Sequence, residues 1–155
     1  MSVSPGPGTF DLKRLIEDVI PFNRALGVQL RAYDPAAGSV TLALPLRPEH
    51  VGNVVRGVPH GGAIAALVDA AAGAAAATGV EASAVATVAT IDMRVDYLEP
   101  AAGGTLLAEA TVARAGRRVV VVRTEVRDDT GALVALGTSA FSVGRPRGSA
   151  EGVGL

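Results

Sequence analysis

The stretch from Gly61 to Thr78, GGAIAALVDAAAGAAAAT, limits the possible folds of this chain more than any other. Ten of its eighteen residues are alanine, the best intrinsic helix former, so it reads as one helix of roughly 27 Å with Gly79 placed to end it. The helix has no polar face, and Asp69 is its one charge. A helix that is apolar all round must be buried on most sides, so something has to wrap it. Residues 61–80 are also long enough to resemble a membrane span. However, a carboxylate at the midpoint is costly in lipid, and Ala and Gly are weakly lipophilic. The segment is therefore read as the core helix of a soluble domain, with no membrane partner.

The remaining chain supplies strands to do the wrapping. Residues 1–9 are rich in Pro, Gly and Ser and read as disordered. Thr9 is placed to N-cap a short helix with Asp11 in its first turn. Leu12, Leu15, Ile16, Val19 and Ile20 continue it at helical spacing until Pro21 stops the run. Two strands follow within residues 26–46, where Val40, Leu42, Leu44 and Leu46 alternate after the Asp34-Pro35 turn. Residues 47–59, with Pro48, Gly52, Gly57 and Pro59, read as a loop. Beyond the long helix come four strands, at residues 84–98, 104–114, 118–127 and 132–143. In the first of these Ile91, Met93, Val95 and Tyr97 share one face, and Thr90, Asp92, Arg94 and Asp96 the other.

The expectation is an α+β fold, an antiparallel sheet wrapped around one long central helix, spanning residues 10–143 with a flexible tail at 144–155. Apolar residues make up 49% of the chain but aromatics only 3%, so Ala, Val and Leu build the core and let helix and sheet approach closely. Some helix surface and a sheet edge stay uncovered in a monomer, so a homodimer or homotetramer is expected.

Several function classes are excluded. A net charge of −1 offers no large basic surface for nucleic acid. With no cysteine, there is no disulfide framework, Cys-ligated zinc or thiol nucleophile, which fits a reducing cytoplasm. Residues 1–8 lack a secretory signal. His50 and His60 are the only histidines and have no metal-ligand spacing, so no metal is expected. Phosphate-binding glycine loops and the Gly-x-Ser-x-Gly elbow are absent too.

Chemistry concentrates between Asn53 and Asp69. His60-Gly61-Gly62 falls where loop becomes helix, and first-turn amides there lack intrahelical acceptors and sit at the positive end of the helix dipole. With no Cβ in the way, such an amide can receive an oxygen as it gains charge. The same glycines could instead simply ease a tight turn. Asp69, nine residues after His60, is either a catalytic carboxylate in apolar surroundings or an acid on the helix's one wet edge.

These residues together resemble the hotdog-fold acyl-CoA thioesterases, in particular the PaaI-like (phenylacetate-degradation-type) subgroup, over about residues 22–143. The marks are Asn53, Gly57 and His60-Gly61-Gly62; Asp69; the run Thr90-Ile91-Asp92-Met93-Arg94-Val95-Asp96-Tyr97-Leu98-Glu99-Pro100; and Gly131-Ala132-Leu133-Val134-Ala135. The resemblance implies that the Gly61 amide polarises the thioester carbonyl. Asp69 would act as general base or nucleophile across a dimer interface, Thr90 would hold the attacking water, and His60 and Asn53 would orient the sulfur. The chain departs from the family pattern by one extra residue between Asn53 and Gly57, which puts the role of Asn53 in question. Gly62, Arg56, Arg117 and Arg118 are the candidates for binding the substrate; the arginines either take the phosphates of coenzyme A or are simply charges on solvated turns. No separate cofactor is implied, because coenzyme A arrives as part of the substrate. Acyl-CoA hydrolysis is the first reading. The alternatives are an enoyl-thioester hydratase or dehydratase using His60 with Asp69, and a non-catalytic acyl-CoA-binding protein. His50 is read as structural or surface rather than catalytic.

Overall fold

The computed structural model describes residues 11–80 and 82–144. Its centre is α3, Gly61–Thr78, with the bounds that the alanine-rich run predicts. Leu67, Val68, Ala71, Ala72, Ala75 and Ala76 are completely buried. The surface over them is one six-stranded antiparallel sheet in the order β1-β2-β6-β7-β8-β5. Its strands are β1 (Gln29–Asp34), β2 (Ser39–Pro45), β5 (Ala89–Tyr97), β6 (Thr105–Ala115), β7 (Val119–Asp128) and β8 (Leu133–Ser142). Val40, Leu42 and Leu44 of β2, Leu106 and Ala108 of β6, and Val122 and Val126 of β7 meet the helix in one core. Small residues set the spacing: a Cβ on Gly137 of β8 would lie 2.5 Å from Val68 Cγ1. The long apolar helix is thus a protein core, as its central carboxylate argued.

Four local expectations change. First, Asp11 is the observed N-cap, its side chain accepting the Arg14 N–H, while Thr9 and the segments 1–9 and 145–155 lie outside the described residues. Gly144, the first residue of the expected tail, is held by Thr87, whose Oγ1 accepts the Gly144 N–H at 3.0 Å. Second, Pro21 both stops and restarts the chain. The first helix, α1 (Leu12–Arg14), runs into a π-helical turn at Leu15–Val19, and Ile20 is extended (φ −76°, ψ 111°). Pro21 then opens α2 (Pro21–Leu26), because a first-turn residue needs no N–H. Third, residues 47–59 hold a hairpin, β3 (Val51–Asn53) with β4 (Val58–Pro59), after a short turn at Pro48–His50. Fourth, residues 82–87 are 3-10 helical and the strand starts only at Ala89.

The edge strand β5 carries a further surprise. It pairs with β8, but the register slips between Thr90 (opposite Phe141) and Asp92 (opposite Ala140), so Ile91 is an extra residue. A bulge inverts the inward-outward alternation on either side of it. Met93 and Val95 still pack against the core, yet Ile91 is 57% exposed and Thr90 turns toward α3. Simple alternation places Thr90 on the opposite face.

Candidate active site

The start of α3 is fixed by its neighbours. His50 is buried, its Nδ1 accepting the Arg47 N–H at 3.2 Å, while the Arg47 guanidinium donates to Ala25 O at 2.5 Å and Leu26 O at 3.1 Å. Burial, reinforced by the adjacent Arg47 charge, holds the His50 pKa below its ordinary value and keeps the ring neutral. This is the structural role expected of it. The His50 carbonyl in turn accepts the His60 N–H at 2.7 Å. Gly52 presses on the same point: a Cβ there would sit 2.5 Å from His60 Cα, closer than any side chain permits.

His60 is the N-cap, and its Nδ1 accepts the Gly62 N–H at 2.8 Å. With Nδ1 an acceptor, the proton of the neutral ring is on Nε2. Histidine is an unusual cap, and two consequences follow. The Gly62 amide is already taken, whereas the Gly61 N–H has no acceptor among the described residues. Of the two glycines, Gly61 therefore carries the free donor. Tyr97 of β5 pins this residue from behind, its hydroxyl donating to the Gly61 carbonyl at 2.8 Å. A Cβ on Gly61 would stand 3.3 Å from that ring.

Asp69 lies two turns further along, half-buried, and its Oδ1 accepts the Thr90 hydroxyl at 2.9 Å. The bulge at Ile91 makes this contact possible. Both side chains line a cavity of about 300 Å³ bounded by α1, α2 and α3 and by Phe141 of β8. Among the described residues Asn23 is the other polar side chain in its wall, and it is buried. Sequence reasoning missed Asn23 because it sits among Ile20, Pro21, Phe22 and Leu26, where nothing marks it as facing a cavity.

Neither Gly61 nor His60 lines that cavity. Eight residues along a helix separate Gly61 from Asp69, about 12 Å in rise and about 80° in rotation. A single chain therefore keeps the amide and the carboxylate in two separate halves of the candidate site. Nor does His60 meet Asp69, whose partner is Thr90, so the His–carboxylate pair that a hydratase needs is not assembled within the chain.

Asn53 does not join either half. Its Oδ1 accepts the Val55 and Arg56 N–H groups, both at 3.1 Å, and so caps the hairpin turn, with Gly57 at φ +64°. Arg56 is exposed in that turn. Arg117 and Arg118 are exposed in the β6–β7 turn, which lies beside the end of β8 because the Arg118 carbonyl accepts the Val143 N–H at 2.9 Å. Among the described residues there is no cluster of His, Cys, Asp and Glu able to hold a metal.

Residues 56–135 match a family model described as the thioesterase superfamily. The medium/long-chain acyl-CoA thioesterase YigI of Salmonella typhimurium is 36% identical over 136 residues, covering 81% of this chain and 86% of that protein. Among solved structures, a thioesterase-superfamily protein of Shewanella oneidensis superposes with a TM-score of 0.79 at 34% identity, covering 86% of this chain and 93% of the other. A variant of the phenylacetic acid degradation protein PaaI from Thermus thermophilus gives a TM-score of 0.67 at 31% identity, covering 79% and 97%.

Proposed function

The chain belongs to the thioesterase superfamily, and we propose that it hydrolyses acyl-CoA thioesters through a site built from two copies of itself. The observation that carries this reading is the Asp69–Thr90 pair, 2.9 Å apart, in the wall of an otherwise largely apolar cavity. A carboxylate held by one hydroxyl keeps its second oxygen for a water, and the cavity accepts the acyl group beside it.

In this mechanism Asp69 of one protomer takes a proton from water as the water oxygen bonds to the acyl carbon. The carbonyl oxygen, now negative, is received by the free Gly61 N–H of the second protomer, an interaction worth on the order of 3 kcal/mol in the barrier. The carbon–sulfur bond then breaks, and the thiolate of coenzyme A takes up the proton. The His60 Nε2–H, one residue from Gly61, is the donor suited to meet that sulfur. Alternatively Asp69 attacks the acyl carbon itself, and the thiolate leaves to give a mixed anhydride. Water then cleaves the anhydride, freeing the acid and the carboxylate while the thiolate takes up the released proton. Gly62 serves by leaving room for the His60 cap, since a Cβ there would sit 2.8 Å from Nδ1. Exposed Arg56, Arg117 and Arg118 are suited to the phosphates of coenzyme A. The wider role of Asn53 is holding the turn beneath His60.

Dimerisation is supported by the separation of the half-sites and by β5. That strand is a sheet edge whose Ile91 (57%) and Tyr97 (53%) are exposed, as is Leu98 (48%) just past its end, an apolar edge that a second subunit would cover. The acyl preference of YigI points to medium or long chains here.

The test is thiol release from an acyl-CoA panel by the wild type and Asp69→Asn, with sedimentation of both. A dimer or tetramer that loses at least about 100-fold in kcat/KM on substitution is expected. Undiminished turnover by Asp69→Asn, or an active monomer, would overturn the reading.

A further inference from the structure

The wall of the cavity is graded. Ala70, Gly73, Ala74 and Ala77 of α3 fall at spacings of three, four and seven residues, a single stripe, and all four line it. Asp69 stands at the head of this stripe, one turn before Gly73. Leu12 and Ile16 of the N-terminal segment close the opposite side.

Gly73 is the odd residue in this wall. Inside an alanine-rich helix a glycine costs stability relative to alanine. Its backbone does not demand it, because Gly73 is not among the glycines of positive φ. Packing does not forbid a side chain either. A Cβ would come no closer than 3.3 Å to any neighbouring heavy atom, the nearest being Phe141 Cε1, which a small shift of the ring relieves. What a side chain at this position would take is cavity space directly below the carboxylate.

We infer that Gly73 is the specificity-determining residue of this enzyme, which leaves room for an unbranched acyl chain to lie lengthwise along α3. From Asp69 to Ala77 the helix rises about 12 Å. An extended chain with carbon–carbon bonds near 1.5 Å advances about 1.25 Å per carbon, so about nine or ten carbons fit. A benzoyl or phenylacetyl group, compact and rigid, fills only the head of the groove. The inference rests on the reading that places the thioester at Asp69.

The experiment combines turnover with binding. For the wild type, kcat/KM should climb from butanoyl-CoA to about decanoyl-CoA. In Gly73→Leu the decanoyl value should fall by at least about 30-fold more than the butanoyl value, because Gly73 lies about 6 Å of helix rise from Asp69 and only chains longer than about five carbons must pass it. Gly73→Ala, which should fold well and melt higher, should show the same trend more weakly. Equal losses at all chain lengths, or an unchanged profile in both variants, would refute the gauge. Calorimetry with the non-hydrolysable decyl and benzyl thioethers of coenzyme A separates this from the hydrolytic reading. The wild type should bind the decyl compound about tenfold tighter or better, and Gly73→Leu should lose that preference. Indifference between the two thioethers sinks the inference and leaves hydrolysis standing. Preference without any turnover does the reverse.

Discussion

Replacing Thr90 by valine isolates one hydrogen bond at the heart of the proposed site. The two side chains have nearly the same shape, and both suit a strand, so Thr90→Val removes the donor 2.9 Å from Asp69 Oδ1 and little else. Thr90 is exposed at the start of an edge strand, so the stability change should stay within about 0.5 kcal/mol. Water replaces the lost donor in the resting protein. A carboxylate no longer held in place nonetheless loses transition-state stabilisation of the size of one hydrogen bond to a charged group, about 1.5–3 kcal/mol, with exposure arguing for the lower end. About 1.5–2 kcal/mol corresponds to a roughly 10- to 30-fold fall in kcat/KM. Thr90→Ser, which keeps the hydroxyl, should stay within about threefold of wild type. The assay is thiol release from one good acyl-CoA substrate, with melting temperatures measured in parallel. A fully active valine variant, or a serine variant as impaired as the valine one, would show that the contact does not orient the carboxylate.

Gly52→Ala should lower both stability and activity, because its Cβ would fall 2.5 Å from the His60 backbone and displace the start of α3. Thermal melting and thiol release check this, and an unaffected variant would remove Gly52 from the support of the site. Thr124 Oγ1 is buried on β7 without a hydrogen-bond partner among the described residues, so the isosteric Thr124→Val should stabilise by about 1 kcal/mol, or about 2–4 °C in Tm. A lower Tm would show that the hydroxyl has a partner. The Asp128 pKa is held below its ordinary value, chiefly by the Thr130 hydroxyl and then by the Ala102 N–H. A depressed carboxylate pKa stabilises the fold above the unfolded value, near 3.8, and that contribution is lost as pH falls below it. Asp128→Asn should therefore lose less stability than wild type between about pH 5 and pH 2 in urea titrations. Identical acid slopes would contradict this.

Much of the molecule is legible in one dimension because the responsible forces are local or periodic. The alanine run fixes α3 to the residue, since propensity, the lack of a polar face and Gly79 all agree. Alternation at Val40, Leu42 and Leu44 locates β2, because a half-buried strand repeats every two residues. The candidate residues Gly61 and Asp69 are also visible, as a glycine at a helix start and a charge in an apolar helix, whereas His60 and Thr90 stand out only through the family resemblance. What the sequence alone determines, then, is the core helix, the strands that wrap it and the residue types available for thioester chemistry.

Placement is another matter. The bulge at Ile91, which turns Thr90 toward Asp69, arises from pairing with β8 across more than forty residues, and no local pattern announces it. The histidine cap that consumes the Gly62 amide depends on the hairpin pressing Gly52 against His60. Asn53 turns to its own loop because a nearby amide is a closer partner than a distant site. The cavity with Asn23 in its wall exists only where two short helices close over α3. Apart from the local Asn53 turn, each of these depends on contacts between residues separated in the chain, and such contacts take shape only in three dimensions.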